Sequence, residues 1–374
     1  MKKYTERELL RIAKRFHNTK RTYLLVDPLQ GKHIPVNPSD AMDMLHSLGE
    51  LVKKSYGESR LVIGFAETAT AVGMAVSEVI GDDCVYIHTT REDIPSEAYW
   101  IEFKEEHSHA TDQKLAASNL KKWLSKTDTI VFVDDEISTG KTIINFINQL
   151  RIYYPEISEK KLVAASIINR VSKENNEKML SLGIESIYIL KMDETDLTEY
   201  VKKYSICEAQ EYEDNADQTA CDEFVCDTGL LDPRLGVNTG DYRNNCQLFA
   251  RKLHSFIDLD KTMGKVLVLG TEECMYPAII LGKMLQEEFN ADVYTHSTTR
   301  SPIGICQDAD YPIKQGYKIK SYYDSERSTY IYNIDKYDLV IIVTDSKLVN
   351  PGETNSLIEV LKREGNNRIV LYRG

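Results

Sequence analysis

The run Ile130-Val131-Phe132-Val133 puts four apolar residues between Asp128-Thr129 and three acids, Asp134-Asp135-Glu136. An unbroken apolar run of this length, rich in Val, predicts a strand buried on both faces of a parallel sheet. Leu61 to Phe65, Cys84 to Ile87, Leu162 to Ile168 and Ile187 to Leu190 have the same character. Between them the spacing turns helical: Met44, Leu45, Leu48, Leu51 and Val52, then Val72 to Ile80, then Ile143, Ile144, Phe146, Ile147 and Leu150, then Glu174 to Leu182. Strand and helix alternate, the signature of an α/β fold with a doubly wound parallel sheet. Residues 5–17 are predicted as a helix, with Thr5 as N-cap and Glu8 as its capping-box partner. Arg21 to Val26 is predicted as a strand, Gln30 to Pro38 as a loop, Ser39 as the next cap, and Tyr99 to Phe103 as a hairpin strand.

The chain also repeats itself. Val266-Leu267-Val268-Leu269-Gly270-Thr271-Glu272-Glu273 answers Leu61-Val62-Ile63-Gly64-Phe65-Ala66-Glu67. Val293 to Arg300, with His296 answering His88, corresponds to Val85 to Arg91, and Asp338 to Asp345 answers Asp128 to Asp135. His88 and Asp135 are 47 residues apart, His296 and Asp345 49. The reading is therefore a domain over 1–195 and a related but degenerate α/β domain over 229–374. Between them, residues 196–228 read as a linker, because 208–223 carry many acids and few large apolar groups.

With 374 residues the chain is long enough for two cores. A net charge of −12 opposes nonspecific attachment to nucleic acid or to anionic membrane, so a phosphorylated ligand must be held by local donors. The start, Met1-Lys2-Lys3-Tyr4-Thr5-Glu6-Arg7-Glu8, has no apolar core of a signal peptide, and no apolar run approaches a membrane span. Seven scattered cysteines fit reduced thiols in a cytoplasmic protein; Cys207, Cys221, Cys226 and Cys246 follow no common zinc spacing.

The chemistry concentrates after the first apolar run. In open α/β sheets ligands bind at the carboxyl ends of strands, where Asp134 and Asp135 stand. Carboxylates accept hydrogen bonds from vicinal sugar hydroxyls. The segment Glu136-Ile137-Ser138-Thr139-Gly140-Lys141-Thr142 leads into a helix whose backbone amides and hydroxyls suit a phosphate. Gly140-Lys141-Thr142 also looks like the end of a nucleoside-triphosphate P-loop, but that motif needs a glycine where Asp135 stands. Ala66-Glu67-Thr68-Ala69-Thr70 is a second strand-to-helix loop of small residues, suited to diphosphate through its backbone. Arg91 follows a strand end and could clamp that diphosphate with its planar fork.

Ile130 to Thr142 resembles the phosphoribosyl-pyrophosphate (PRPP) motif of type I phosphoribosyltransferases, with Ser138 in place of one threonine. The whole chain, with Asp232-Pro233-Arg234-Leu235-Gly236 and Thr299-Arg300-Ser301-Pro302, resembles the bacterial phosphoribosyltransferases that carry a C-terminal TRSP domain, encoded in tellurite-resistance and stress operons. The resemblance implies phosphoribosyl transfer between PRPP and an unassigned nucleobase-like or amine acceptor, in either direction. Asp134 and Asp135 would hold the ribose and, through water or PRPP, Mg²⁺. Residues 136–142 would hold the 5-phosphate; Ala66 to Thr70 and Arg91 would receive pyrophosphate. A loop over 92–112 would close on the site. By their spacing, His107 and His109 share one face of an extended segment and could act in proton transfer, with His109 the catalytic candidate, or bind a metal. Thr299, Arg300 and Ser301 are candidates for an acidic ligand in the second domain. A homodimer and partners from the same operon are consistent with it. Two other readings stay open: a regulator that binds PRPP or a nucleotide without chemistry, and a ribose-phosphate diphosphokinase, for which no ATP site is evident.

Overall fold

The structure is a computed structural model. It describes residues 2–16, 18, 21–103, 113–212, 221–259, 264–289, 291–347 and 351–374. Two compact units interleave along the chain. The first comprises Met1–Thr5, Asp43–Thr195 and Leu231–Asn244; the second comprises Glu6–Met42, Asp196–Leu230 and Asn245–Gly374.

Strands β1 (Arg11–Lys14) and β2 (Tyr23–Val26) form an antiparallel hairpin in the second unit. The first unit then takes β3 (Leu61–Gly64), β4 (Val85–His88), the hairpin β5 (Trp100–Phe103) and β6 (Gln113–Ala116), β7 (Thr129–Ile137), β8 (Lys161–Asn169) and β9 (Ile184–Lys191). β10 (Gln210–Glu211) and β11 (Asp222–Val225) belong to the second unit, and β12 (Val237–Asn238) to the first. The second unit is completed by β13 (Lys265–Gly270), β14 (Asp292–Ser297), the hairpin β15 (Gly316–Lys320) and β16 (Ser328–Tyr332), β17 (Leu339–Thr344) and β18 (Ile369–Arg373).

The first sheet has the order β12-β4-β3-β7-β8-β9, parallel except for the antiparallel edge β12. Both faces are covered, as the unbroken apolar runs require. Leu61, Ile63, Ile130, Phe132, Leu162 and Ala164 point into one core with Phe146 and Ile147 of helix Lys141–Tyr153. Val62, Val131 and Val163 are as deeply buried on the other face, and helix Thr70–Ile80 packs on β3, β4 and β7. The second sheet, β11-β18-β17-β13-β14, is parallel throughout, with β10-β15-β16 as a separate three-stranded sheet.

Two segments depart from local expectation. The helix predicted over 5–17 spans only Glu6–Leu9; Arg11–Lys14 instead pairs with Tyr23–Val26, a partner that side-chain periodicity within residues 5–17 does not reveal. The acidic stretch read as a linker contributes β10 and β11, paired with β15 and β18. Their side chains are mostly exposed and backbone hydrogen bonds hold them at sheet edges; of the two strands' residues, Phe224 packs against the core.

The repeat is structural, and the ladders fix its register. Gly64 pairs with Val133 and His88; Gly270 pairs with Val343 and Ser297. Helix starts follow six residues after each glycine, at Thr70 and Tyr276. Thr344 therefore stands where Asp134 does, Asp345 where Asp135 does, and Glu272 where Ala66 does. One correspondence read from sequence shifts by a residue: Ser297, not His296, matches His88.

Candidate functional site

Strand β7 lies between β3 and β8, but its pairing with β3 ends at Val133 while its pairing with β8 continues to Ile137. Asp134, Asp135 and Glu136 thus extend past the end of β3. The connection from β3 goes to β4 on one side, and β7 lies on the other, so the sheet order reverses here. That reversal opens the crevice where such sheets take ligands. The loops after β3 and after β7 flank it.

Asp134 and Asp135 are both half-buried. The Asp135 amide donates to Asp134 Oδ1 at 3.0 Å, and the Thr68 hydroxyl donates to Asp135 Oδ1 at 2.6 Å. This second bond ties the acid pair to the loop after β3. Burial pushes the Asp135 carboxyl above its usual range; the bond from Thr68 opposes this and the neighbouring charge of Glu136 adds to it. Glu136 faces the buried guanidinium of Arg170 at 3.4 Å, and Ile137 is anchored in the core. Ser138 and Thr139 are half-buried, and Lys141 is exposed.

Gly140 precedes helix Lys141–Tyr153 with φ +77°, and no side chain caps the helix start. A Cβ at this position would stand 2.5 Å from Met179 Sδ, so conformation and space both require glycine. The Lys141 amide donates to Thr139 Oγ1 at 3.3 Å. The thirteen-residue helix presents its positive end close in sequence to the acid pair, with the Thr139 hydroxyl against its first amide.

The loop Ala66–Thr70 is held by groups that sequence reasoning did not assign. The Ala66 amide donates to Thr89 Oγ1 at 2.8 Å, and Gln113 Nε2 donates to the Ala66 carbonyl at 2.7 Å. Thr89 and Gln113 also bond each other, and both are buried. The Ala66–Glu67 peptide is cis. Thr89 had a signal, the hydroxyl pair before Arg91; Gln113 had none. Glu67 is buried, whereas Arg91 is exposed just beyond the bridge between Thr90 and Lys114. His107 and His109 lie outside the described residues, as does the 104–112 part of the expected closing loop.

In the second unit the same backbone bonds recur around different side chains. The Glu272 amide donates to Thr298 Oγ1 at 2.9 Å, as Ala66 does to Thr89. Thr299 exchanges backbone bonds with Tyr330, as Thr90 does with Lys114. The Thr299 hydroxyl accepts from the Ser301 amide at 3.2 Å, and the Ser301 carbonyl accepts from the Tyr332 hydroxyl at 2.8 Å. Arg300 Nε donates to Glu272 Oε2 at 2.9 Å. Tyr323 donates to Asp345 Oδ1 at 2.5 Å, and Thr271 to Thr344 at 2.8 Å, so the degenerate acid position is already occupied by hydroxyls.

No group of three or more His, Cys, Asp or Glu side chains arranged for a metal ion occurs among the described residues, and no helix there is long and apolar enough to cross a membrane.

A mostly parallel sheet with an acid pair and a glycine-started helix at its switch point is an α/β arrangement of the kind that takes ligands at strand ends. Residues 9–191 match the family model described as phosphoribosyl transferase, and residues 232–361 match the TRSP domain C-terminal to it. The chain belongs to this two-domain phosphoribosyl transferase family. Among solved structures it is similar to orotate phosphoribosyltransferase from Aeropyrum pernix, at 17% identity over 52% of this chain and 94% of that one, TM-score 0.33. It is also similar to adenine phosphoribosyl transferase from Trypanosoma brucei, solved with AMP, pyrophosphate and ribose-5-phosphate. That match has 10% identity over 49% of this chain and 76% of that one, TM-score 0.35. Orotate phosphoribosyltransferase from Francisella tularensis matches at 15% identity over 52% of this chain and 85% of that one, TM-score 0.30. No curated protein matches the chain.

Proposed function

We propose that the first unit transfers a phosphoribosyl group between PRPP and a nucleobase-like or amine acceptor, in either direction. The setting would be the cytoplasmic stress and tellurite-resistance metabolism that the family resemblance implies. The observation that carries the reading is the acid pair tied by Thr68 to one loop and running directly into the glycine-started helix. Asp134 and Asp135 accept hydrogen bonds from the ribose 2′- and 3′-hydroxyls. Their charge favours the positive character that develops at C1′ as pyrophosphate departs. Ser138, Thr139, Thr142 and the amides after Gly140 surround the 5-phosphate, with Lys141 beside them and the Glu136–Arg170 pair and Ile137 fixing the strand end. The loop Ala66 to Thr70, braced by Thr89 and Gln113, offers amides to pyrophosphate, and Arg91 supplies a guanidinium. Two adjacent half-buried carboxylates, without a third protein ligand among the described residues, suit a hydrated Mg²⁺ carried mainly by substrate oxygens. Bound Mg²⁺ would neutralise charge on the departing pyrophosphate.

The test is pyrophosphate release from PRPP and Mg²⁺ across a panel of bases and small amines. Wild-type protein should release pyrophosphate with at least one acceptor, and Asp135→Asn should lose nearly all of that release, roughly 10²–10³-fold, while its melting temperature stays within a few degrees. Release undiminished by Asp135→Asn, or absent from wild type with every acceptor, sinks the reading.

A further inference from the structure

In the second unit the position of Ala66 is taken by Glu272, with φ +45°, a conformation uncommon for a residue with a side chain. Its side chain is 1% exposed and collects three donors. Arg300 Nε and Arg327 Nη2 each donate to Oε2 at 2.9 Å, and the Ser321 hydroxyl donates to Oε1. Arg300 corresponds to Arg91, two residues after the threonine that receives the loop amide in each unit. Arg327 and Ser321 come from the connection between β15 and β16, the counterpart of the connection between β5 and β6. The buried ammonium of Lys32 donates to the Glu272 carbonyl at 2.7 Å, as Gln113 does to that of Ala66.

Two guanidiniums and a hydroxyl converging on one small anion, beside a strand-to-helix loop, form the donor set of an oxyanion site. Here the anion is covalently part of the chain. We propose that the second unit contains a cryptic oxyanion site closed by the Glu272 carboxylate, which stands in for a bound phosphate or diphosphate. Native protein therefore takes no phosphate at Arg300 and Arg327, and removing the carboxylate opens the site. A tethered carboxylate wins over free phosphate because it loses no translational freedom on binding. Without it, two partly buried cations lose the acid they share and recruit an anion from solution. This inference stands on the second unit's geometry alone, and its readout is phosphate binding rather than turnover, so it survives or fails independently of phosphoribosyl transfer.

The experiment counts orthophosphate bound per full-length chain by equilibrium dialysis and follows thermal unfolding in phosphate against chloride at equal ionic strength. Glu272→Ala should bind one more phosphate per chain than wild type. Its melting temperature should gain about 4 °C more from phosphate than wild type at ten times the dissociation constant. Adding Arg300→Gln to Glu272→Ala should remove the extra phosphate. Glu272→Gln, which keeps the shape but not the charge, serves where Glu272→Ala folds poorly, and should also gain thermal stability from phosphate beyond wild type. The proposal is overturned if neither variant gains phosphate over wild type, or if wild-type protein already holds phosphate at Arg300.

Discussion

The two units share a backbone and differ in what they bring to its crevice. Each has a glycine-ended strand between two parallel neighbours, and each loop after that strand is pinned by a threonine from the next. Each also carries a hairpin bridged to the residue after that threonine. In the first unit the acid positions are Asp134 and Asp135, the loop carries Ala66, and the following helix starts at a left-handed glycine. In the second, Thr344 and Asp345 are engaged by Thr271 and Tyr323, and the loop carries Glu272. The backbone register is thus kept while a few side chains at the ends of the strands differ. Geometry is inherited as scaffold; chemistry is set at a handful of positions.

Parallel substitutions break or sharpen this contrast. The largest effect is expected from the acids: Asp134→Asn or Asp135→Asn should lower PRPP-dependent turnover by roughly 10²–10³-fold. Asp345→Asn should leave turnover unchanged, and equal losses at Asp135 and Asp345 would dissolve the distinction. Next comes His296, which burial pushes down to about 4 and keeps neutral in the second unit. A histidine whose value is depressed on folding contributes stability above its unfolded value of about 6.5. That contribution is lost as pH falls toward 4, on the order of 3 kcal/mol at most. His296→Gln should flatten the acid limb of a denaturation-against-pH series; a wild-type melt constant from pH 7 to 4 would contradict it.

Gly140→Ala should cost about 1–3 kcal/mol, since the new methyl meets both a left-handed backbone and Met179. It should also raise the KM for PRPP, whereas Gly183→Ala, left-handed but in open space, should leave KM alone. The smallest effect concerns Asp135, whose raised carboxyl makes its ionisation unfavourable to folding. Stability from this group is full below its unfolded value and lost as pH rises through the folded one. Activity needs the ionised form and should fall on acidification at a pH above that of an ordinary aspartate. Thr68→Val, which removes an opposing hydrogen bond, should move that fall to still higher pH; an unmoved acid limb would detach Thr68 from the acid.

The sheet strands were legible because burial on both faces imposes unbroken apolar runs, as in Ile130 to Val133. The acid pair was legible because nothing in strand propensity asks for two aspartates there. Pairing partners were not: Arg11–Lys14 became a strand only through Tyr23–Val26, and the four-residue β11, inside an acidic stretch, joined a sheet edge through β18. Nor could sequence align His296 correctly, because matching letters pulled it onto His88 while the ladder places Ser297 there. Gln113 illustrates a further limit, since an amide that braces a carbonyl 47 residues away leaves no local pattern.

The interleaving of the units has a practical corollary. Cutting the gene after Thr195 would leave Asp43–Thr195 without the edge strand Val237–Asn238, and Asn245–Gly374 without Glu6–Met42. Each half of such a split would carry a piece that the other needs. Neither fragment should then fold when expressed alone, but the pair is a natural substrate for complementation, structured only once both polypeptides are mixed.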